Sequence, residues 1–260
     1  MLHIIPRFIP LAALLFVGAC AGNAPTNTTE APPSEYGAVQ DGEFFIQAVD
    51  ASLLKNGRAR TEVDYAGPEA PGTIVVDPFA RKLYLVQDAG RAVRYAIGVG
   101  REGRSFSGGG VISRTEQWPS WTPTRNMVRT QPELYAEFAG GVPGGIGNPL
   151  GARALYLYRG GRDTYYRIHG TIDNLSIGRA SSAGCIRLFN QDAIDLYNRV
   201  PLGTSVRVRS YEESLAAEGP YIDDANGNAV PESPEAVALR EKILAKRAAA
   251  EAAGVVPAQG

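Results

Sequence analysis

The sequence predicts a mostly β domain, and three observations lead there. Thirty glycines and eighteen prolines punctuate 260 residues, the usage of a loop-rich, strand-based body rather than a helical bundle. From Gly72 onward, short β-branched and aromatic runs recur between tight turns, the pattern of antiparallel hairpins. Helical spacing is confined to two late stretches.

The elements follow in order. TIVVD (73–77) reads as a strand, PFAR as a turn, KLYLVQ (82–87) as a strand, DAG as a turn and RAVRYAIGVG (91–100) as a strand. Residues 101–151 carry REGRSFSGGG, QWPSWTPTRN and AGGVPGGIGNPLG, together with both tryptophans, Trp118 and Trp121. This composition predicts long loops, which in a compact domain serve as lids or binding surfaces. The tryptophans offer flat apolar faces to a sugar or peptide. Strands resume at ALYLY (154–158) and TYYRIHG (164–170). QDAIDLYNRV (191–200) has helical spacing with Asn190 placed as N-cap, and SVRVR (205–209) is one more strand. In the tail, DDANGN (223–228) opens like a calcium loop, but its twelfth position is Pro234. A turn is therefore expected. SPEAVALREKILAKRAAAEAA (233–253) begins with a Ser-Pro helix start and predicts an exposed helix peripheral to the chemistry.

The N-terminus reads differently. MLHIIPR is a short basic start, and FIPLAALLFVGA is an apolar run too short to span a bilayer comfortably. It ends at Val17-Gly18-Ala19-Cys20, which resembles a bacterial lipoprotein signal whose cysteine is lipidated. An ordinary secretory signal cut after Ala19 or Ala21 is the alternative. The expected organisation is a signal peptide over 1–19 and a flexible Ala/Pro/Thr/Asn-rich tether over 20–42. An N-terminal extension follows over 43–71, then the catalytic domain over 72–210 and a tail over 211–260. Export to the periplasm is expected from the signal, with anchoring to the outer membrane through a lipidated Cys20.

Composition excludes some functions. The net charge of −1 gives no basic footprint for nucleic acid. The chain has two histidines and two cysteines. One pair, His3 and Cys20, falls in the leader; the other is His169 and Cys185. One His and one Cys cannot make a structural zinc site, and no HExxH or CxxC supports a catalytic one. No metal or other cofactor is expected.

An exported protein with a lone thiol keeps it buried and inert, or uses it as a nucleophile. A thiol nucleophile needs a base or nearby positive charge, and donors for the oxyanion it creates. HGTIDNLSIGRASSAGCIRLFN (169–190) supplies candidates for each. His169 ends an aromatic strand, and the amides of Ala183, Gly184 and Cys185 are oxyanion donors. Arg187 lies two residues past Cys185, on the same face of an extended chain, where it can bind a carboxylate. Ser181 and Ser182 are weaker candidate nucleophiles near neutral pH.

HG, a spacer, then SxGCIRL followed by Asn resembles the signature of the L,D-transpeptidases, the YkuD-domain enzymes. The resemblance runs from about Gly72 to Arg209. It includes GTIVVD and the NPLGARALYLY…YRIHGT…IGRA passage. It implies a β-sandwich with one or two short helices and a cysteine acyl-enzyme mechanism. Cys185 would be the nucleophile, His169 the general base, and the Gly170 carbonyl the group that orients the imidazole. Ser182 and Arg187 would shape the site and bind substrate, with Ala183, Gly184 and Trp121 beside them. Many members carry His where this chain has Ala183.

The implied reaction is attack on the L-centre carbonyl of diaminopimelate in a peptidoglycan tetrapeptide stem, with release of D-Ala. Transfer to an amine would make a 3→3 cross-link, or would anchor an outer-membrane protein or lipoprotein to the wall. Water as acceptor would make an L,D-carboxypeptidase. A non-catalytic wall-binding lipoprotein is the reading from a different class.

Overall fold

The elements are laid out by a computed structural model that describes residues 32–100, 108–181 and 185–252. The expected signal peptide, Cys20 and part of the tether lie outside the described residues, as do Ser182, Ala183 and Gly184. In chain order the strands are β1 (Val39–Asp41), β2 (Phe44–Ile46), β3 (Thr61–Asp64), β4 (Ile74–Asp77), β5 (Lys82–Gln87), β6 (Arg91–Ala96), β7 (Gly98–Gly100) and β8 (Gly108–Gln117). They continue as β9 (Arg153–Arg159), β10 (Arg162–His169), β11 (Ala180–Ser181), β12 (Ile186–Arg187), β13 (Ser205–Val208), β14 (Tyr221–Asp223) and β15 (Ala229–Pro231). The α-helices are α1 (Arg125–Thr130), α2 (Pro132–Tyr135), α3 (Asn190–Arg199), α4 (Tyr211–Glu218) and α5 (Pro234–Ala252). The protein is mostly β with a few short helices.

Eleven strands form one sheet in the order β11-β7-β12-β10-β9-β8-β13-β4-β5-β6-β3. β7 and β6 stand second and tenth in that order, so a flat sheet would hold them about 38 Å apart at roughly 4.8 Å per strand. Ile97 alone joins them in the chain. The sheet must therefore fold over on itself, as the sandwich expectation requires. The main apolar core draws Ile74 from β4, Tyr95 from β6, Ile112 from β8, Leu155 from β9 and Ile168 from β10, and two smaller clusters centre on Tyr36 and Phe189 and on Tyr65 and Tyr84.

The hairpins β4–β5 and β5–β6 pair antiparallel where the sequence placed them. β8 does not fit the sequence expectation. Ten residues of the predicted loop, GGGVISRTEQ, form a strand between β9 and β13. Only Ile112 on it is buried, so no apolar alternation announces it. Its glycines answer to close approach: a Cβ on Gly110 would crowd the Leu157 side chain at 2.8 Å.

α3 forms as expected and buries Ala193 and Leu196. Its cap differs from the sequence reading. Phe189 is the N-cap residue and Asn190 the first helical residue, because the Asn190 side chain is committed elsewhere. Its Oδ1 accepts from the Ala152 N–H at 2.9 Å, and its Nδ2 donates to the Thr171 carbonyl at 2.9 Å.

The N-terminal segment is tied to the same helix. Fully buried Tyr36 donates its hydroxyl to Asp192 at 2.9 Å and meets Phe189 edge-on. Arg60 pairs with Asp192 at 2.9 Å, and β3 extends the main sheet through β6. In the tail, Asp224 accepts from the backbone of Asn226 and Asn228, closing the turn of the β14–β15 hairpin. α5 buries none of its residues. Among the described residues, no helix is long and apolar enough to cross a membrane.

Candidate active site

Strand pairing brings the candidate residues together. β10 and β12 run parallel, with Ile168 opposite Ile186 and His169 opposite Arg187. Ile168 and Ile186 point into the core, so their neighbours His169 and Arg187 share the other face. One residue back, Cys185 comes level with Arg167, whose backbone N–H bonds to the thiol sulfur. Cys185 is half-buried. His169 and Cys185 are thus diagonal neighbours on adjacent strands, about 8 Å apart at Cα by strand spacing and rise.

The row continues across the sheet. Arg167 faces Tyr156 on β9, and Tyr156 faces Arg114 on β8. In the next row, His169 faces Ala154, and Ala154 faces Glu116. The sequence reading did not single out Arg167. A period of two from His169 puts it on the same face, but only the β10–β12 register reveals that it stands beside the thiol.

The imidazole is held from its Nδ1 side. Nδ1 lies 2.6 Å from the Gly170 carbonyl oxygen. With Nδ1–H donating there, Nε2 is the nitrogen left to take a proton. The turn beneath is locked by close packing: the Gly170 N–H donates to Arg153 O at 3.0 Å, and the Leu188 N–H donates to His169 O at 2.8 Å. A Cβ on Gly170 would overlap Asn190 Oδ1, so only glycine fits there. Asn190 therefore braces the His169–Gly170 turn from both sides, through Ala152 and Thr171.

Burial sets the protonation state. His169 is only 4% exposed, and burial pushes its pKa down to about 4. The guanidiniums of Arg187 and Arg167 push the same way, against the Gly170 and Leu150 carbonyls. The Cys185 thiol is pushed up by burial, and Arg167 and Arg187 only partly offset this. Both shifts favour an uncharged imidazole and a thiol over an ion pair. Among the described residues, no cluster of His, Cys, Asp or Glu is arranged to hold a metal.

Trp121 sits apart from these rows, in the excursion between β8 and β9. It is half-buried, exchanges backbone hydrogen bonds with Val142, and meets Tyr135 and Phe138 with ring centroids 6.2 Å away. Trp118 is fastened to the N-terminal segment: Nε1 donates to Asp41 at 2.8 Å and the ring packs on Phe44. The excursion leaves β8 and re-enters β9 at the sheet end that carries His169, since Gln117 pairs with Arg153 and Trp118 N donates to Ala152 O.

The tail reaches the site loop too. Arg179 bridges to Asn228, with Nε donating to Asn228 Oδ1 at 3.0 Å, and the Ala229 N–H donates to Gly178 O at 2.9 Å. The contact comes from the β14–β15 hairpin before α5.

A thiol and a buried imidazole thus share one face of the sheet, and the comparisons give the family of the domain that carries them. Residues 71–208 match the YkuD L,D-transpeptidase catalytic domain. The chain belongs to the YkuD L,D-transpeptidase family. It is 36% identical over 139 residues to the probable L,D-transpeptidase ErfK/SrfK of Escherichia coli, covering 53% of this chain and 43% of that protein. It is 35% identical over 144 residues to a putative L,D-transpeptidase of Fuscovulum blasticum, covering 51% of this chain and 71% of that protein. A solved structure from Brucella melitensis, described as a probable carnitine operon oxidoreductase caia, is 47% identical; the match covers 58% of this chain and 93% of that one, with a TM-score of 0.43. The chain thus spans less than half the length of the Escherichia coli relative.

Proposed function

We propose that the protein is a peptidoglycan L,D-transpeptidase that works through a Cys185 thioester. The observation that carries this reading is the placement of Cys185 one strand from a histidine whose Nδ1 is fixed on the Gly170 carbonyl, inside an L,D-transpeptidase domain. His169 Nε2 takes the Cys185 proton as the sulfur attacks the carbonyl of the third stem residue. The C–N bond to D-Ala breaks, and its nitrogen leaves with the proton from the imidazolium. The acceptor amine then attacks the thioester and loses a proton through His169, and the thiol is restored.

The neutral resting pair favours proton transfer within the attack step over a preformed thiolate. Arg187 faces the acyl group's carboxylate. The amides of Ala183, Gly184 and Cys185 are assigned to the oxyanion, and Ser182 to substrate binding. Trp121 contacts the stem from the excursion. The same reading places the enzyme in the periplasm, attached to a membrane by a lipid on Cys20. Its acceptor is an amine of a second stem or of an outer-membrane protein or lipoprotein.

Purified tetrapeptide muropeptides incubated with the enzyme and followed by mass spectrometry test this. Dimers formed with loss of one D-Ala support the proposal. Tripeptide monomers alone indicate a carboxypeptidase, and unchanged muropeptides a binding protein.

A further inference from the structure

Tyr165 is an unusual residue on β10. It is 73% exposed, and its φ of +62° lies in the left-handed region that disfavours every side chain except glycine and, less severely, asparagine or aspartate. The other non-glycine residues in that region have local reasons. Trp118 packs on Phe44 and bonds Asp41, Arg81 is buried and ion-paired with Asp223, Ala89 sits in the β5–β6 turn, and Asn56 is a residue type that tolerates it. Tyr165 gains no burial from its conformation. A β-bulge between Asp163 and Arg167 imposes it, and the Asp163 carboxylate fixes it by accepting the Tyr165 N–H at 2.8 Å. Bulges re-aim side chains, and strain held in a structure without a packing gain points to function.

The ring is aimed at the catalytic face. The Arg167 guanidinium lies 5.8 Å from the Tyr165 ring centroid and 4.5 Å from that of Tyr156, and Arg114 covers Tyr156 at 4.0 Å. These residues continue the row that ends at Cys185. Each guanidinium in it already has a carboxylate. Arg167 grips Asp163 through two bonds of 2.7 and 2.8 Å, and Arg114 Nε donates to Glu116 at 3.0 Å. The surface around Tyr165 therefore offers little net charge to an anion. It offers a flat apolar ring set among rigid donors and acceptors, the chemistry that suits the CH face and hydroxyls of a sugar.

Resting on the proposed function, we propose that Tyr165 is the platform of a saccharide subsite that holds the glycan end of the donor muropeptide. Spacing agrees. Tyr165 lies two residues along β10 from Arg167 and one strand across from Cys185, at most about 8 Å at Cα by full strand rise, which the bulge shortens. Three stem residues separate the sugar from the scissile carbonyl, and three extended residues span at most about 10 Å.

The test compares two donors, a disaccharide-tetrapeptide and the same tetrapeptide without sugar, on wild type, Tyr165→Gly, Tyr165→Asn and Tyr165→Phe. Wild type should favour the saccharide-bearing donor in kcat/KM. Tyr165→Gly and Tyr165→Asn should reduce that preference about three- to tenfold while raising the melting temperature, because both residues accept the left-handed backbone. Tyr165→Phe should retain the preference. An equal loss on both donors, or an unchanged preference in all variants, would overturn the subsite while leaving the transpeptidase reading intact. Wild type that forms no thioester with either donor would overturn both.

Discussion

The two regions that meet at the site are built by opposite rules. The His169–Gly170 turn is buried, and each of its groups is held by a neighbour: the imidazole by Gly170 O, the turn by Asn190 and Arg153. The excursion from Trp118 to Leu150 carries two short helices with no buried residues, and its aromatic contacts are edge-on or tilted. On the proposed function, chemistry that needs sub-ångström placement is set in the core, and the surface assigned to the substrate is hung outside it. Substitutions in the first region should cost turnover, with or without stability. Those in the second should cost substrate use with little effect on stability.

The largest effect is expected at Cys185. Cys185→Ala should abolish acylation, a loss of several orders of magnitude in kcat, with an unchanged circular dichroism spectrum. Measurable turnover in that variant would move the nucleophile elsewhere, to a serine of the same segment. A carbapenem, whose reactive carbonyl resembles the donor, should likewise add once to wild type and not to Cys185→Ala by intact mass.

Asn190→Ala tests the brace. It leaves the Ala152 N–H and the Thr171 carbonyl without their partner, at about 1–3 kcal/mol for each buried group. A combined loss of roughly 2–6 kcal/mol should lower Tm by several degrees or more. The looser turn should also lower kcat about tenfold with little change in KM. A Tm loss with normal kcat in the folded fraction would show that Asn190 supports the fold but not the imidazole.

The pH dependence sharpens the same contrast. His169 must be neutral to accept the proton, and burial holds its pKa near 4. The acid limb of kcat/KM should therefore fall near pH 4, below the ordinary histidine value of about 6.5. Alkylation of Cys185 by iodoacetamide should rise only on the alkaline side, since the thiol is pushed up. A plateau of fast alkylation from pH 5 to 8 would instead reveal a thiolate–imidazolium pair.

The smallest effect is expected in the excursion. Trp121→Ala should lower donor kcat/KM about three- to tenfold, the worth of one aromatic contact, and shift Tm by no more than about 2 °C. A drop of many degrees with unchanged acylation would make Trp121 a structural residue.

What was legible in the sequence follows the same division. The strands with apolar residues on both faces, such as KLYLVQ and ALYLY, sit where their patterns place them, because burial alone dictates them. β8 was hidden: its pairing comes from neighbours on both sides, while its own residues are mostly glycine and polar, with only Ile112 buried. Asn190 stands where a cap should stand, yet a side-chain amide beside a tight glycine turn found better partners in Ala152 and Thr171. His169 and Cys185 stand out in a sequence so poor in both residue types, and the fold sets them on one face of adjacent strands. Arg167 was not, since a register between strands distant in sequence leaves no local mark. The hairpin contact to Arg179 was hidden for the same reason.

The most direct test of the Cys185–His169 chemistry is the intact mass of the enzyme rapidly quenched with a tetrapeptide donor, followed by peptide mapping. The expected result is an added mass equal to the donor minus D-Ala, located on Cys185 and removed by an amine acceptor. A covalent adduct on any other residue, or turnover with no adduct at any quench time, would contradict it.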